Sequence, residues 1–428
     1  MNEIKPFYGW RYNSKKVPLE EVLAPPYDVV SPEEHRAYLQ KNPYNVFHLE
    51  LGEILASDNE DENRYTRAKA LWDKWRKENV LVREKSPSVY LYRLKFSWEG
   101  KVFVRKGFIS LVRLAPWEEK KILPHEKTFD KVTEDRLKLL RATCAQFSQI
   151  FCLYHDQKLE SISALESKAS PLLQVKDPDG FTHELLQVSD PEVIACVQEV
   201  IGKGPLYIAD GHHRYTTALR FMREMEKIYG STPPRCFHYM MMYLCPFEEP
   251  GLLVLPTHRL LNLPFSFEEI AQKLSSWGDL EEVSIAQEKL SAYLEDLKPY
   301  QFILVYEDRL LLFTLAPNLR EKLSQVFPKE VASLPVAIFT WVMKEALGVD
   351  EAALKTQGKA FFMPWTSRII ENASGGKFGF LLAPTPVLAL EKVANAGTVM
   401  PHKSTYFHPK ILTGMVFFEI SPDKGPPC

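Results

Sequence analysis

The chain lacks what a membrane helix needs: no apolar run approaches the ~20 residues that span a bilayer, and no membrane partner is expected. It also lacks an excess of positive charge. Its 53 basic and 55 acidic residues leave a formal charge of −2. That balance gives no global electrostatic reason to bind nucleic acid, and no helix-turn-helix is evident, so nucleic acid is not expected as a partner. There is no Cys-x-x-Cys pair. The six cysteines (Cys144, Cys152, Cys196, Cys236, Cys245, Cys428) are scattered, several inside apolar runs where they read as small core residues. The opening Met1–Trp10 stretch lacks the apolar core of a signal peptide. Together these absences lead us to expect reduced cysteines and a cytoplasmic setting. No internal repeat and no low-complexity tract occurs.

What is present is an ordinary globular composition, 45% hydrophobic and 25% charged, over 428 residues. That length is too great for one core, and two or three units are expected. Ser31-Pro32-Glu33-Glu34 carries a helix start: a capping hydroxyl, proline at the first position, then acids near the positive dipole end. Arg64–Asn79 is expected to form an amphipathic helix burying Leu71, Trp72 and Trp75. Val89–Phe96 and Lys101–Leu114 read as strands joined near Glu99-Gly100. Asp135–Ala145 reads as a helix, Ile150–Tyr154 as a strand and Pro191–Ile201 as a helix; the rest of 155–205 is less distinctive. Farther on, Ser266–Trp277, Gln287–Leu297, Ser333–Leu347 and Pro386–Ala396 read as helices. Phe302–Tyr306 with Leu310–Leu315 reads as a hairpin, and Phe378–Ala383 as a short strand. This mixture indicates an α+β fold rather than regular βαβ alternation.

The most informative segment is Asp210-Gly211-His212-His213-Arg214-Tyr215. An apolar run, Leu206–Ala209, feeds it, and Ala218, Phe221, Met222, Met225 and Ile228 follow at helical spacing until Gly230 and Pro233-Pro234. Cys236–Leu244 then reads as a buried strand. A strand that enters a helix through a glycine turn points unpaired N–H groups outward and adds the positive end of the helix dipole, which suits phosphate. Arg214 brings a planar cation matched to phosphate oxygens. His212 and His213 bring donors or proton carriers. The bland alternative is a common Asp-Gly turn with a surface arginine. Polar groups packed this densely beside buried elements, however, cost stability unless they are paired or bind something.

Four other clusters carry chemistry-bearing residues. Pro25-Pro26-Tyr27-Asp28 is a rigid approach ending in an acid, equally well explained as a turn with a capping Asp28. Pro124-His125-Glu126-Lys127-Thr128 places acid/base types side by side, with Arg136 and Arg141 downstream; Glu126 is a candidate general base. The His-Glu-x-x-His zinc spacing is absent there. Pro256-Thr257-His258-Arg259 lies at a strand end, where a hydrogen-bonded histidine and a surface arginine are the plain alternative. Met400–Lys410 interleaves basic, hydroxyl and aromatic residues; Lys403 and Ser404 are its candidates, and an ordered arm packing its aromatics is the alternative. No carboxylate-rich triad sits at ligand spacing near the adjacent His212 and His213, so no metal site is expected from these residues. A Mg²⁺ carried by a nucleotide needs only one or two carboxylates, which Asp210 or Asp28 could supply.

These motifs taken together resemble the family called Domain of Unknown Function 1015. The resemblance rests on Ala-Pro-Pro-Tyr-Asp-Val-Val-Ser at 24–31, Pro-His-Glu-Lys-Thr at 124–128, Asp-Gly-His-His-Arg-Tyr at 210–215, Pro-Thr-His-Arg at 256–259 and Met-Pro-His-Lys-Ser-Thr-Tyr-Phe at 400–407. The family's segment corresponding to Leu334–Phe339 often carries a histidine, and here Phe339 or a neighbour stands in its place. More distantly, a strand, a Gly-x-His-Arg turn and a helix resemble the ParB and sulfiredoxin superfamily, which includes free serine kinases. Gly211, His213 and Arg214 match that turn. The turn holds no cysteine, so a sulfiredoxin-like thiol mechanism is not implied.

The resemblance implies a ParB/sulfiredoxin-like mixed core with a hairpin-containing insertion over 1–262, and a C-terminal α+β portion over 263–428. It implies nucleotide binding, ATP or ADP, with Mg²⁺ as the accompanying ion. The function expected is phosphoryl transfer to a small hydroxylated, serine-like metabolite. Asp210, His212, His213, Glu126 and Asp28 are the catalytic candidates. Gly211, Arg214, Tyr215, His125, Arg259, Lys403 and Ser404 are the binding candidates. The alternatives are a nucleotide-responsive ParB-like switch and a phosphatase or nuclease; nothing in the sequence sets an oligomeric state.

Overall fold

The computed structural model describes residues 1–128 and 130–428. Two compact units emerge: Met1–Leu252 together with Pro409–Cys428, and Leu253–His408. Both mix helices with largely antiparallel sheets, so the architecture is α+β. The division corrects the expected break after residue 262. It also moves the last twenty residues, which sequence order assigned to the C-terminal portion, into the first unit. Their apolar side chains explain the return: Phe417 packs edge-on against Tyr12, Trp72 and Phe147 in a buried aromatic cluster.

The first unit is built on a sheet with strands in the order Ile122–Leu123, Leu206–Asp210, Ile150–Tyr154, Tyr239–Pro246, Lys101–Arg113, Val89–Trp98, Thr182–Val188 and Ser170–Lys176, with Ile4–Lys5 beside Lys101–Arg113. The expected hairpin at Glu99-Gly100 is present, Trp98 pairing Lys101. Tyr239–Pro246 runs parallel to Ile150–Tyr154 and is buried throughout, as its unbroken apolar run requires. The pair Ser170–Lys176 and Thr182–Val188 went unread in the sequence because proline and polar residues interrupt its pattern. Helices Arg64–Lys77, Asp130–Thr143 and His212–Tyr229 pack in succession. The first buries Trp72 and Trp75 as expected, with Leu71 only half-buried. The second begins five residues before the expected Asp135. Ser31 caps helix Pro32–Lys41 as its sequence indicates, and Glu34 reciprocates by accepting from the Ser31 N–H.

The second unit is an antiparallel sheet in the order Gly278–Glu282, Arg309–Leu315, Gln301–Tyr306, Lys377–Leu381, His258–Asn262, Ala360–Met363. Strand alternation divides its core in two. Phe302 and Leu304 join Phe339 and Phe380 on one face, while Ile303 and Val305 join Leu290 and Ile369 on the other.

Two of the six cysteines depart from the expected reduced state. Cys236 and Cys428, 192 residues apart, are joined as a disulfide where the C-terminal segment rejoins the first unit. Sequence spacing cannot reveal a pairing that only this return creates. Among the described residues, no helix is long and apolar enough to cross a membrane.

Candidate functional site

Strand Leu206–Asp210 ends at Gly211, and helix His212–Tyr229 begins immediately after it. Gly211 has φ 98°, a conformation that disfavours any side chain. A Cβ there would also meet the Arg214 guanidinium at 3.0 Å. Two independent constraints therefore select glycine. Gly211, the residue before the helix, has no side chain with which to cap it, and the first-turn N–H groups and the positive end of the dipole point to the junction, the arrangement an anion site uses.

Arg214 turns inward. It donates from Nη1 to the Gln149 carbonyl at 2.5 Å, and its Nη2 lies 3.8 Å from Asp210 Oδ1. Burial pulls its pKa down, but Asp210, Tyr27, Asp28 and Glu50 outweigh that effect and raise it. Asp210 receives a second cation: Lys410 Nζ donates to its Oδ2 at 2.8 Å. Lys410 closes the Met400–Lys410 segment, in which the sequence points instead to Lys403 and Ser404. The Lys410 contact exists only because the chain re-enters the first unit at Pro409.

The two histidine motifs meet. The His125 and His212 rings stand edge to face, 4.6 Å between centroids. His125 donates from Nδ1 to the Ile208 carbonyl at 2.8 Å, and its backbone N–H donates to His212 Nε2 at 3.3 Å. Those two bonds assign the neutral tautomers: the proton is on Nδ1 in both rings. Glu126 faces both, 4.0 Å from His125 Nε2 and 3.9 Å from His212 Nδ1. Burial lowers the pKa of His125 to about 4 and that of His212 well below its ordinary value. Both are therefore neutral at pH 7. His212 is buried and accepts at Nε2, and its Nδ1 faces Glu126. His213 is half-buried. Tyr215 is fully buried; its hydroxyl donates to the Ala115 carbonyl at 2.7 Å and accepts from the Ala115 N–H at 3.1 Å. It lies on the inward face of the helix and serves as an anchor, not as the ligand contact expected of it.

The Pro25–Asp28 loop approaches the same region. Tyr27 packs against the Arg136 guanidinium, 4.6 Å from its centroid, and burial pushes its hydroxyl up to about 12. Arg136 donates to the Glu50 carbonyl at 2.6 Å and to Asp135, while Ser148 donates to Glu50 Oε1 at 2.9 Å. A cavity of about 50 Å³ lies between this network and Arg214, enough for water but not for a nucleotide. Asp28 is exposed and close enough to act electrostatically on both Tyr27 and Arg214. Arg141, by contrast, forms an exposed pair with Glu224. A larger cavity of about 520 Å³, lined by Arg113, Lys121, Arg223, Glu226 and His238, contains none of the expected residues.

The remaining candidates belong to the second unit. Arg259 is fully buried, donating to Glu351 Oε1 at 3.0 Å, to the Thr257 carbonyl, and to the carbonyls of His402 and Lys403 at 3.4 and 3.3 Å. The rings of Phe339 and Phe362 enclose it. Ser404 donates to the Pro401 carbonyl at 2.6 Å. Pro-Thr-His-Arg and His-Lys-Ser are thus brought together, but through a structural clamp. The Phe339 side chain supplies one of that clamp's walls.

Over residues 4–337 the chain matches the model of a family described as a protein of unknown function, DUF1015. The chain belongs to that family. No curated protein matches it. Among solved structures it is similar to a free serine kinase variant in complex with ADP, at 11% identity and a TM-score of 0.38, over 71% of this chain and 90% of that one. It is similar to C-terminally truncated SbnI from Staphylococcus aureus at 12% identity and a TM-score of 0.36, over 71% and 85% of the two chains. A conserved hypothetical protein from Pyrococcus furiosus is similar at 12% identity and a TM-score of 0.35, over 71% and 93%.

Proposed function

We propose that the Asp210–Arg214 junction binds a nucleotide phosphate, ATP or ADP, and that the protein transfers a phosphoryl group to a hydroxyl of a small, serine-like metabolite. The observation that carries this reading is the helix start behind a left-handed Gly211, flanked by a carboxylate that holds two cations. Backbone amides of residues 212–214 cradle phosphate oxygens, and the nearby cations offset charge that develops on the transferred group. The substrate oxygen attacks phosphorus, the bond from phosphorus to the nucleotide's bridging oxygen breaks, and the substrate proton passes to a carboxylate. Glu126, beside two neutral histidines, and the exposed Asp28 are the residues of suitable chemistry. Asp210 is engaged by Lys410 and Arg214, so Asp28 fits a Mg²⁺-bound nucleotide better. Cytoplasmic residence and a hydroxylated metabolite as partner belong to the same proposal.

A thermal-shift screen of nucleotides with and without Mg²⁺, followed by nucleotide-conversion assays over a panel of hydroxylated metabolites, tests it. Stabilisation of the wild type by ADP or ATP, reduced in Arg214→Ala, supports binding, and turnover supports transfer. Binding without turnover across the panel would favour a nucleotide-responsive switch. Absence of any nucleotide effect would reject the reading.

A further inference from the structure

Resting on the nucleotide reading above, we propose that Lys410 is a phosphate-contacting residue of this site, delivered by the C-terminal segment. Arg214, the cation the motif advertises, is committed inward to Gln149 and packs over Gly211. His212 is neutral and accepts a hydrogen bond. The charge that meets a phosphate therefore has to come from elsewhere, and Lys410 is the cation placed to supply it.

The chain around Lys410 is fixed on both sides. Arg105 donates to the Pro409 carbonyl at 2.7 Å, and Gln149 Nε2 donates to the Leu412 carbonyl at 3.0 Å. The Leu412 N–H donates to the Tyr92 hydroxyl at 3.2 Å. Thr413 and Ala24 exchange backbone hydrogen bonds of 2.8 and 3.4 Å next to the Pro25–Asp28 loop. One short stretch thus touches the loop, the acceptor of Arg214 and the end of the motif strand. The flexible Lys410 side chain spans to Asp210, where both groups are largely but not wholly enclosed. An ammonium on a four-carbon stem can exchange a carboxylate oxygen for a phosphate oxygen with a small swing, which a guanidinium held inward by a backbone carbonyl cannot do. Asp210, facing two cations, holds Lys410 in place before the ligand arrives. Once phosphate binds, it still has Arg214 as its partner.

Equilibrium binding of ADP and of adenosine to the full chain tests this. In Lys410→Met, ADP affinity should fall about 10- to 100-fold, the range for losing one charged hydrogen bond, while adenosine affinity stays at the wild-type value. Lys410→Arg should recover most of the ADP affinity. Unchanged ADP binding in Lys410→Met overturns the proposal, as does an equal loss for ADP and adenosine, which would mark Lys410 as purely structural. If wild type binds no nucleotide, the parent reading fails and this one with it. A footprint on wild type does not depend on how a variant folds: acylation of Lys410 by an amine reagent should slow when ADP is added and not when adenosine is added. Equal acylation in both cases contradicts the assignment.

Discussion

Arg214 and Arg259 looked alike in the sequence, each following a histidine beside an apolar run, yet their surroundings set them apart. Both guanidiniums are enclosed. Around Arg214 the acids Asp210, Asp28 and Glu50, with Tyr27, outweigh burial and raise its pKa. Around Arg259, burial prevails over its single carboxylate partner Glu351 and lowers it. Arg259 is gripped by carbonyls and two phenyl rings and holds together the segments that carry it. Arg214 stands in the first turn of a helix, at its positive dipole end, with a second cation, Lys410, close by. Surplus charge at a helix start invites a ligand; a satisfied, aromatic-walled cation fixes a fold. Histidine shows the same division. His125 and His212 form a pair facing Glu126, whereas His258 is fully buried, accepts the Leu382 N–H at 3.2 Å, and is pushed down to about 3 by burial and then by Arg259.

The largest effect should come from the clamp. Arg259→Ala leaves the half-buried Glu351 without its partner and should cost about 3–5 kcal/mol, the range for breaking a buried ion pair. Denaturant unfolding would measure it, and a loss below about 1 kcal/mol would erase the distinction drawn between the two arginines. Next comes the histidine pair. His125 binds no proton in the folded state until the pH nears 4, whereas the unfolded chain protonates it near 6.5. Between those values the unfolded state holds more protons, so stability rises with pH and is lost on acidification. The loss for His125 alone is about 3 kcal/mol between pH 6.5 and 4. His125→Asn should flatten that slope in pH-dependent unfolding; an unchanged slope would contradict the assigned neutral state.

Gly211→Ala should cost about 1–3 kcal/mol through its backbone conformation and push Arg214 aside. ADP affinity should fall with it, which isothermal titration would report; a variant as stable and as tight-binding as wild type would remove the reason given for glycine. The smallest effect belongs to Arg141→Ala. Its exposed partnership with Glu224 should be worth less than about 1 kcal/mol, with nucleotide affinity unchanged. Weaker binding in that variant would extend the site beyond the cluster described.

Much of the candidate site was legible because its parts are local. A strand ending in Asp-Gly before a helical pattern states its own geometry, and φ 98° at Gly211 agrees with it. Ser31, Pro32 and Glu34 marked a helix start for the same reason. What sequence could not show were the long-range relations. Lys410 reaches Asp210 only after an intervening unit, and Cys236 finds Cys428 only at the chain's return. The unit boundary was misplaced because Leu253–Leu255 pairs with Tyr406–His408, a contact across more than 150 residues that no local pattern announces. Tyr215 was misread because its place on the helix turns it toward Ala115, and Ile228, expected on the buried face, is exposed where the helix outruns its packing.

Amide hydrogen exchange of the full chain with and without ADP tests the central claim most directly. The account predicts that residues 210–216 gain protection on adding ADP, because their amides take up the phosphates. Protection confined to other segments, with this turn exchanging as before while ADP is bound, would contradict it.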